Sequence, residues 1–129
     1  MKFDCKEISI SDEALGCQVA FSETPDLGAA TENMSFKEIE ESIGKYLLFQ
    51  RFFPEEEFDS DEFYFETHDK NFGGHIEDFV LTLSRHFVKL SLDSETIDVS
   101  INPTDREFSE LKRVLSIIIN IHGELIVND

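Results

Sequence analysis

Basic residues are scarce in this chain: 11 Lys and Arg stand against 28 Asp and Glu, a formal charge of −17 over 129 residues. A nucleic-acid-binding domain must turn a cationic face to phosphate, so this balance argues against direct binding of DNA or RNA. Long apolar runs are absent too. Nothing approaches the ~18 residues of a membrane span, and the N-terminal MKFDCKEISI has no secretory h-region. The two cysteines, Cys5 and Cys17, are too few for a disulfide framework. Without an export signal, two buried free thiols in a cytoplasmic protein are expected.

Catalytic and metal signatures are missing as well. His68, His75, His86 and His122 show no HExxH or His-x-His spacing, and there is no CxxC pair. His68 and His75 with Asp69 across the Gly73-Gly74 pair would be the one zinc arrangement to name, and ordinary turn histidines outweigh it. The acids Asp59-Ser60-Asp61 lack the glycine of a calcium loop. No serine or cysteine sits in a nucleophile elbow, and Phe72-Gly73-Gly74 lacks the lysine of a phosphate loop. The expectation is a protein with no cofactor, no bound metal and no catalysis.

What the chain does contain is a dense apolar framework, 40% hydrophobic with 13 Phe, enough for one domain spanning residues 1–129. Residues 46–53 (YLLFQRFF) read as a strand buried on both faces and ended by Pro54. Phe63-Tyr64-Phe65 reads as its antiparallel return. Residues 2–10 read as a first strand with a parity switch, hence a bulge, near Lys6-Glu7. Ser11-Asp12-Glu13 reads as a turn, and Cys17, Val19 and Phe21 alternate along a second strand from Gly16. Further strands are expected at residues 76–83, 87–92 and 97–101, with the Gly73-Gly74 pair as a turn and Leu125-Ile126-Val127 as an edge strand. Thr104 and Glu107 form a capping box that opens a long helix. Its apolar stripe, Phe108, Leu111, Leu115, Ile118 and His122 widened by Val114, Ile117 and Ile121, ends at Gly123. A second box, Ser35-Phe36-Lys37-Glu38, is compatible with a short helix near residues 35–43. The fold class is therefore α+β: a largely antiparallel sheet of roughly six to eight strands with one long C-terminal helix packed on a face.

Between these strands the acids cluster. From Glu55 to Asp69 there are eight acids and no Lys or Arg. Holding like charges together raises self-repulsion that a mixed surface avoids. Glu55, Glu56, Glu57, Asp59, Asp61, Glu62 and Asp69, flanked by Phe58 and Tyr64, are accordingly the candidate contact patch for a basic protein. A solvated loop is the bland alternative of equal weight. Glu38, Glu40 and Glu41 are the next candidates, followed by Asp12-Glu13 and the turn from Asp93 to Glu95.

The order Tyr46-Leu47-Leu48-Phe49-Gln50-Arg51, an acidic gap, Phe63-Tyr64-Phe65-Glu66 and Gly73-Gly74-His75-Ile76 resembles immunity protein family ten of bacterial polymorphic-toxin systems, a group that includes contact-dependent growth inhibition immunity proteins. The resemblance runs over residues 1–122 or so, on short strand-turn-strand motifs. Phe72 stands where the family has tyrosine. It implies a cytoplasmic antidote that binds one cognate basic toxin domain, typically a nuclease, as a monomer and without chemistry. A ternary complex with a host protein is left open. Gln50, Arg51, Gly73 and Gly74 read as fold determinants, and no toxin-contact residue carries over. Two other classes fit an acidic α+β chain. A type III-like secretion chaperone would be an obligate dimer, and a DNA mimic would bind several DNA-binding proteins.

Overall fold

A computed structural model describes residues 1–13, 16–23, 44–52, 62–69, 73–74, 78–92, 95–119 and 123–128. In these segments the chain forms β1 (Lys2–Asp4), β2 (Glu7–Glu13), β3 (Gly16–Ser22), β4 (Tyr46–Phe52), β5 (Glu62–Thr67), β6 (Gly73–Gly74), β7 (Val80–Ser84), β8 (Phe87–Ser91), β9 (Thr96–Ser100), α1 (Asp105–Ile119) and β10 (Glu124–Asn128). The class is α+β, mostly strand, with one C-terminal helix.

The single expected sheet is in fact two sheets of five strands. One is antiparallel throughout, in the order β2-β3-β4-β5-β6. The other, β1-β9-β8-β7-β10, is mixed: β1 runs parallel to β9, and β10 parallel to β7. Parallel neighbours need long connections rather than tight turns, so turn residues carried no trace of them. For β10 the path back includes α1.

The parity switch near Lys6 marks the passage between sheets, not a bulge. The amide of Cys5 donates to Ser100 O of β9 (2.8 Å), and that of Lys6 donates to Ser22 O of β3 (2.7 Å). Adjacent residues thus belong to different sheets. Two further expectations are corrected nearby. Ser11-Asp12-Glu13 is strand, in register with Gly16, Cys17 and Gln18, and the Gly73-Gly74 pair is a short strand against Phe65 and Glu66. Gly74 has φ of 124°, in the region that favours glycine.

The buried side chains of both sheets and the helix form one cluster. Phe63 of β5 stacks on Phe79, which leads into β7, with ring centroids 4.8 Å apart, and Phe49 lies 6.2 Å from Phe63. Each such fully buried side chain contributes about 1.5–3 kcal/mol. Gly123 fits against this stack because it has no side chain; a Cβ there would lie 2.6 Å from Phe79 Cζ.

The helix begins as its capping box dictates. The Glu107 amide donates to Thr104 Oγ1 (3.1 Å), and the Thr104 amide donates to Glu107 Oε1 (2.9 Å). Phe108, Leu111, Val114, Leu115, Ile118 and Ile119 are buried along one broad stripe, the width expected of a helix against a sheet. Arg85 in the β7–β8 turn pairs with Asp105 (2.6 Å) and lies over the Phe108 ring, while Arg113 reaches Asp12 of β2 (2.6 Å). The helix is thereby tied to both sheets. Among the described residues no helix is long and apolar enough to cross a membrane. Cys17 is buried, Cys5 is half-buried, and both are free thiols. The short helix near residues 35–43 lies outside the described residues.

Candidate functional site

Alternation along β4 and β5 creates two faces of different chemistry. Leu47, Phe49 and Arg51 of β4, with Phe63, Phe65 and Thr67 of β5, are buried on the core side of the sheet. Tyr46, Leu48, Gln50, Tyr64, Glu66 and His68 point the other way and are partly exposed, and Phe52 is 49% exposed. The strand read as buried on both faces is thus buried on one. Its Phe and Leu content hid this, because Tyr46 and Gln50 share one parity and only Arg51 breaks the apolar pattern of the other.

Arg51 belongs to the core side. It donates through Nη1 to the carbonyl of Ile117 in the last turn of α1, where helix carbonyls lack intrahelical partners. That turn carries no basic residue of its own, so β4 supplies the cation that complements the helix dipole. On the same face the Cys17 thiol donates to Asp12 Oδ1 (3.3 Å). Burial, then this bond, pushes the thiol's pKa up. Arg113, and next the Cys17 thiol, hold the Asp12 carboxyl below its usual range, and Arg113 does the same to Glu110. Asp12, a secondary candidate for partner contact, is therefore committed to holding the helix.

The outer face of the antiparallel sheet centres on Glu66. Tyr46 Oη donates to Glu66 Oε2 (2.8 Å), and Tyr64 Oη donates to Glu66 Oε1 (3.0 Å). Both phenols are shifted upward: Tyr46 to about 12 by burial and then the Glu66 bond, Tyr64 chiefly by the Glu66 bond. They stay protonated and keep donating at neutral pH. Across the ladder Glu66 faces Leu48 on one side and Gly73 on the other. His68 continues the row, with its ring edge-on to Tyr46 at 6.4 Å and its Nδ1 accepting from the Tyr46 amide (3.4 Å). Gln50 Nε2 donates to Gln18 Oε1 (3.2 Å). Beyond them a shallow groove of about 140 Å³ lies among Glu13, Gly16, Gln18, Gln50 and Phe52.

Charge is sorted between the faces. Lys2 and Lys89 lie on the outer side of the mixed sheet with Asp4 and Asp98, Arg85 in its hairpin turn, and Arg106, Lys112 and Arg113 on the helix; Lys6 and Lys45 directly precede β2 and β4 at the border of the antiparallel sheet, and Arg51 points inward. By strand parity the outer face of the antiparallel sheet holds the carboxylates Glu7, Glu13 and Glu66 and, among the described residues, no Lys or Arg.

Of the predicted contact patch, Tyr64 is on this face, and Glu62 sits in β5 opposite Phe52. Asp69 is exposed just past β5, its amide donating to Thr67 Oγ1 (3.2 Å). Glu55, Glu56, Glu57, Phe58, Asp59 and Asp61 lie outside the described residues, as do Glu38, Glu40, Glu41 and Asp93. Glu95 is exposed. Sequence reasoning missed Tyr46, Gln18, Gln50 and Phe52 as surface groups, and left Glu66 out of the patch although it was counted among the clustered acids.

A second cleft, of about 310 Å³, opens where the chain changes sheets, among Cys5, Lys6, Ile8, Asn102 and Glu107. Burial raises the Cys5 pKa, and its thiol donates to Glu7 O (3.1 Å), so it is a protonated thiol rather than a nucleophile. Among the described residues no three His, Cys, Asp or Glu side chains are grouped to hold a metal ion. No protein family, no curated protein and no solved structure matches this chain.

Proposed function

We propose that this chain is an immunity protein: a non-catalytic, cytoplasmic inhibitor that binds a cognate basic toxin domain, of the nuclease class, in a one-to-one complex. The observation that carries the reading is the outer face of the antiparallel sheet, which among the described residues bears carboxylates and no Lys or Arg. Its strands β4 and β5 flank the acid-rich stretch from Glu55 to Glu62. A nuclease must offer cationic groups to a phosphate backbone, and a rigid carboxylate-bearing surface competes for those same groups. Arg–carboxylate contacts are charge-assisted and often bidentate. Complementary fields also accelerate encounter, toward roughly 10⁸ M⁻¹s⁻¹ at low salt, which suits an inhibitor that must intercept its target before damage accumulates.

The test begins with the neighbouring reading frames, where a protein ending in a basic toxin domain is expected, and uses that domain as the binding partner. Reversing Glu56, Asp59 and Asp61 to lysine slows association and flattens its salt dependence, whereas Tyr64→Ala acts mainly on dissociation. Unchanged association at low salt in the charge-reversed protein refutes the acidic interface, and turnover of a substrate by the purified chain refutes the non-catalytic role.

A further inference from the structure

The arrangement around Glu66 carries more than a general negative field. Its two carboxylate oxygens are each engaged by a different phenol, Tyr46 at 2.8 Å and Tyr64 at 3.0 Å. The carboxylate plane is thereby fixed before any partner arrives. Each carboxylate oxygen has two lone-pair sites, so each retains capacity to accept a further donor. The phenol rings stand beside that carboxylate, Tyr64 two residues along the strand and Tyr46 on the neighbouring strand, with Leu48 opposite Glu66. On the other flank the cross-strand neighbour is Gly73, which presents no side chain. A Cβ there would lie 3.0 Å from Phe65 O and 3.3 Å from Glu66 Cα. Gly73 itself therefore adds no side chain on that flank.

A ligand for this site must carry positive charge, because no Lys or Arg of the described residues shares the face. It must offer two donors in a plane to meet two fixed oxygens. It must also tolerate aromatic faces at its sides. Guanidinium satisfies all three conditions, since it is planar, forked and stacks on aromatic rings. The ammonium of lysine meets only the first. We infer that Tyr46, Glu66 and Tyr64, floored by Leu48, form a receptor site for a single arginine side chain of the partner protein. The inference rests on the proposed role as a binder of a basic domain and names the contact at the centre of that interface. The acidic stretch then acts on encounter, while the socket holds the bound partner.

A small-molecule titration of the intact protein tests this apart from any toxin. The probes are N-acetyl-arginine methylamide and N-acetyl-lysine methylamide, at fixed ionic strength, followed by amide chemical shifts. The arginine derivative is expected to move Tyr46, Leu48, Tyr64, Glu66 and Gly73 along one saturating curve, with the lysine derivative several-fold weaker. Glu66→Gln, near-isosteric with the native residue, weakens arginine binding by about tenfold, the scale of one lost charge-assisted contact. Tyr46→Phe and Tyr64→Phe, which keep the rings and release the carboxylate, each weaken it by about threefold. Equal shifts from both probes, shifts scattered over the surface, or undiminished binding by a folded Glu66→Gln protein would overturn the socket. Toxin affinity unaffected by Glu66→Gln would remove the socket while leaving the inhibitor role standing. A socket that works on the probe with no toxin bound would do the reverse.

Discussion

Replacing Arg51 by methionine tests whether β4 holds the helix in place. Arg51 is 9% exposed and donates to the Ile117 carbonyl in the last turn of α1. Methionine keeps much of the aliphatic stem and removes the guanidinium. A hydrogen bond from a charged donor is worth about 1.5–3 kcal/mol. A cation at a helix C-terminus adds about 0.3–1 kcal/mol. Against this stands the desolvation cost of a buried charge, which disappears with the substitution. The Ile117 carbonyl, left without this donor, pushes the balance toward destabilisation. A net loss of about 2–4 kcal/mol is expected, a large part of the ~5–15 kcal/mol by which such domains are stable. Urea denaturation followed by far-ultraviolet circular dichroism reads it as a lower midpoint at unchanged slope. Arg51→Lys recovers only part, because an ammonium cannot reproduce the planar fork. A loss below about 0.5 kcal/mol for Arg51→Met would mean that desolvation cancels the bond, and the strut between β4 and α1 would have to be abandoned.

Two other consequences concern stability. Gly123→Ala places a methyl group 2.6 Å from the buried Phe79 ring, which is itself stacked on Phe63; the ring must shift, at about 1–3 kcal/mol, seen as a lower melting temperature with an altered near-ultraviolet phenylalanine signal. Asp12 and Glu110 have carboxyl pKa values depressed by Arg113, so their contribution is full above the ordinary carboxylate range and is lost as pH falls through the depressed values. Arg113→Gln should flatten that acid limb in a pH series of denaturation midpoints, and an unchanged limb would show that other carboxylates govern it.

Elements whose signals are local were legible in the sequence. The capping box at Thr104 and Glu107 marked the helix start, and its hydrogen bonds are in place. The alternation Cys17, Val19, Phe21 identified β3 and its inward face. Leu125-Ile126-Val127 is the expected edge strand. What escaped depends on partners distant in sequence. Period-two patterning states which residues share a face but not which sheet the face belongs to, so β1 and β2 read as one kinked strand. The phenylalanines of β4 suggested burial on both sides, yet Phe52 is half exposed and Tyr46 faces outward. Charge counting found the acid-rich stretch but ranked acids by density. Glu66 matters for the opposite reason: two phenols aim a single carboxylate, and one of them, Tyr46, lies twenty residues earlier.

The distribution of charge connects the fold to the proposed activity. Several cations of this chain are used internally: Arg51 at the helix end, Arg85 on Asp105, Arg113 between Asp12 and Glu110. These pairs hold α1 to both sheets and leave fewer positive groups to offset the remaining acids. Glu7, Glu13 and Glu66 remain on the outer face of the antiparallel sheet, where among the described residues no Lys or Arg offsets them. Concentrated like charge opposes the compact state through self-repulsion, and a cationic partner relieves that repulsion when it docks. Binding and folding are then linked, because a partner that recognises only the folded face stabilises it by mass action. The same reasoning accounts for the division between the core of this sheet and its surface. Leu47, Phe49, Phe63 and Phe65 fix β4 and β5 from below, so the Tyr46–Glu66–Tyr64 group above them stands on a packed core. A carboxylate aligned in advance loses little freedom when a guanidinium arrives, and affinity at such a point comes from preorganisation more than from added area.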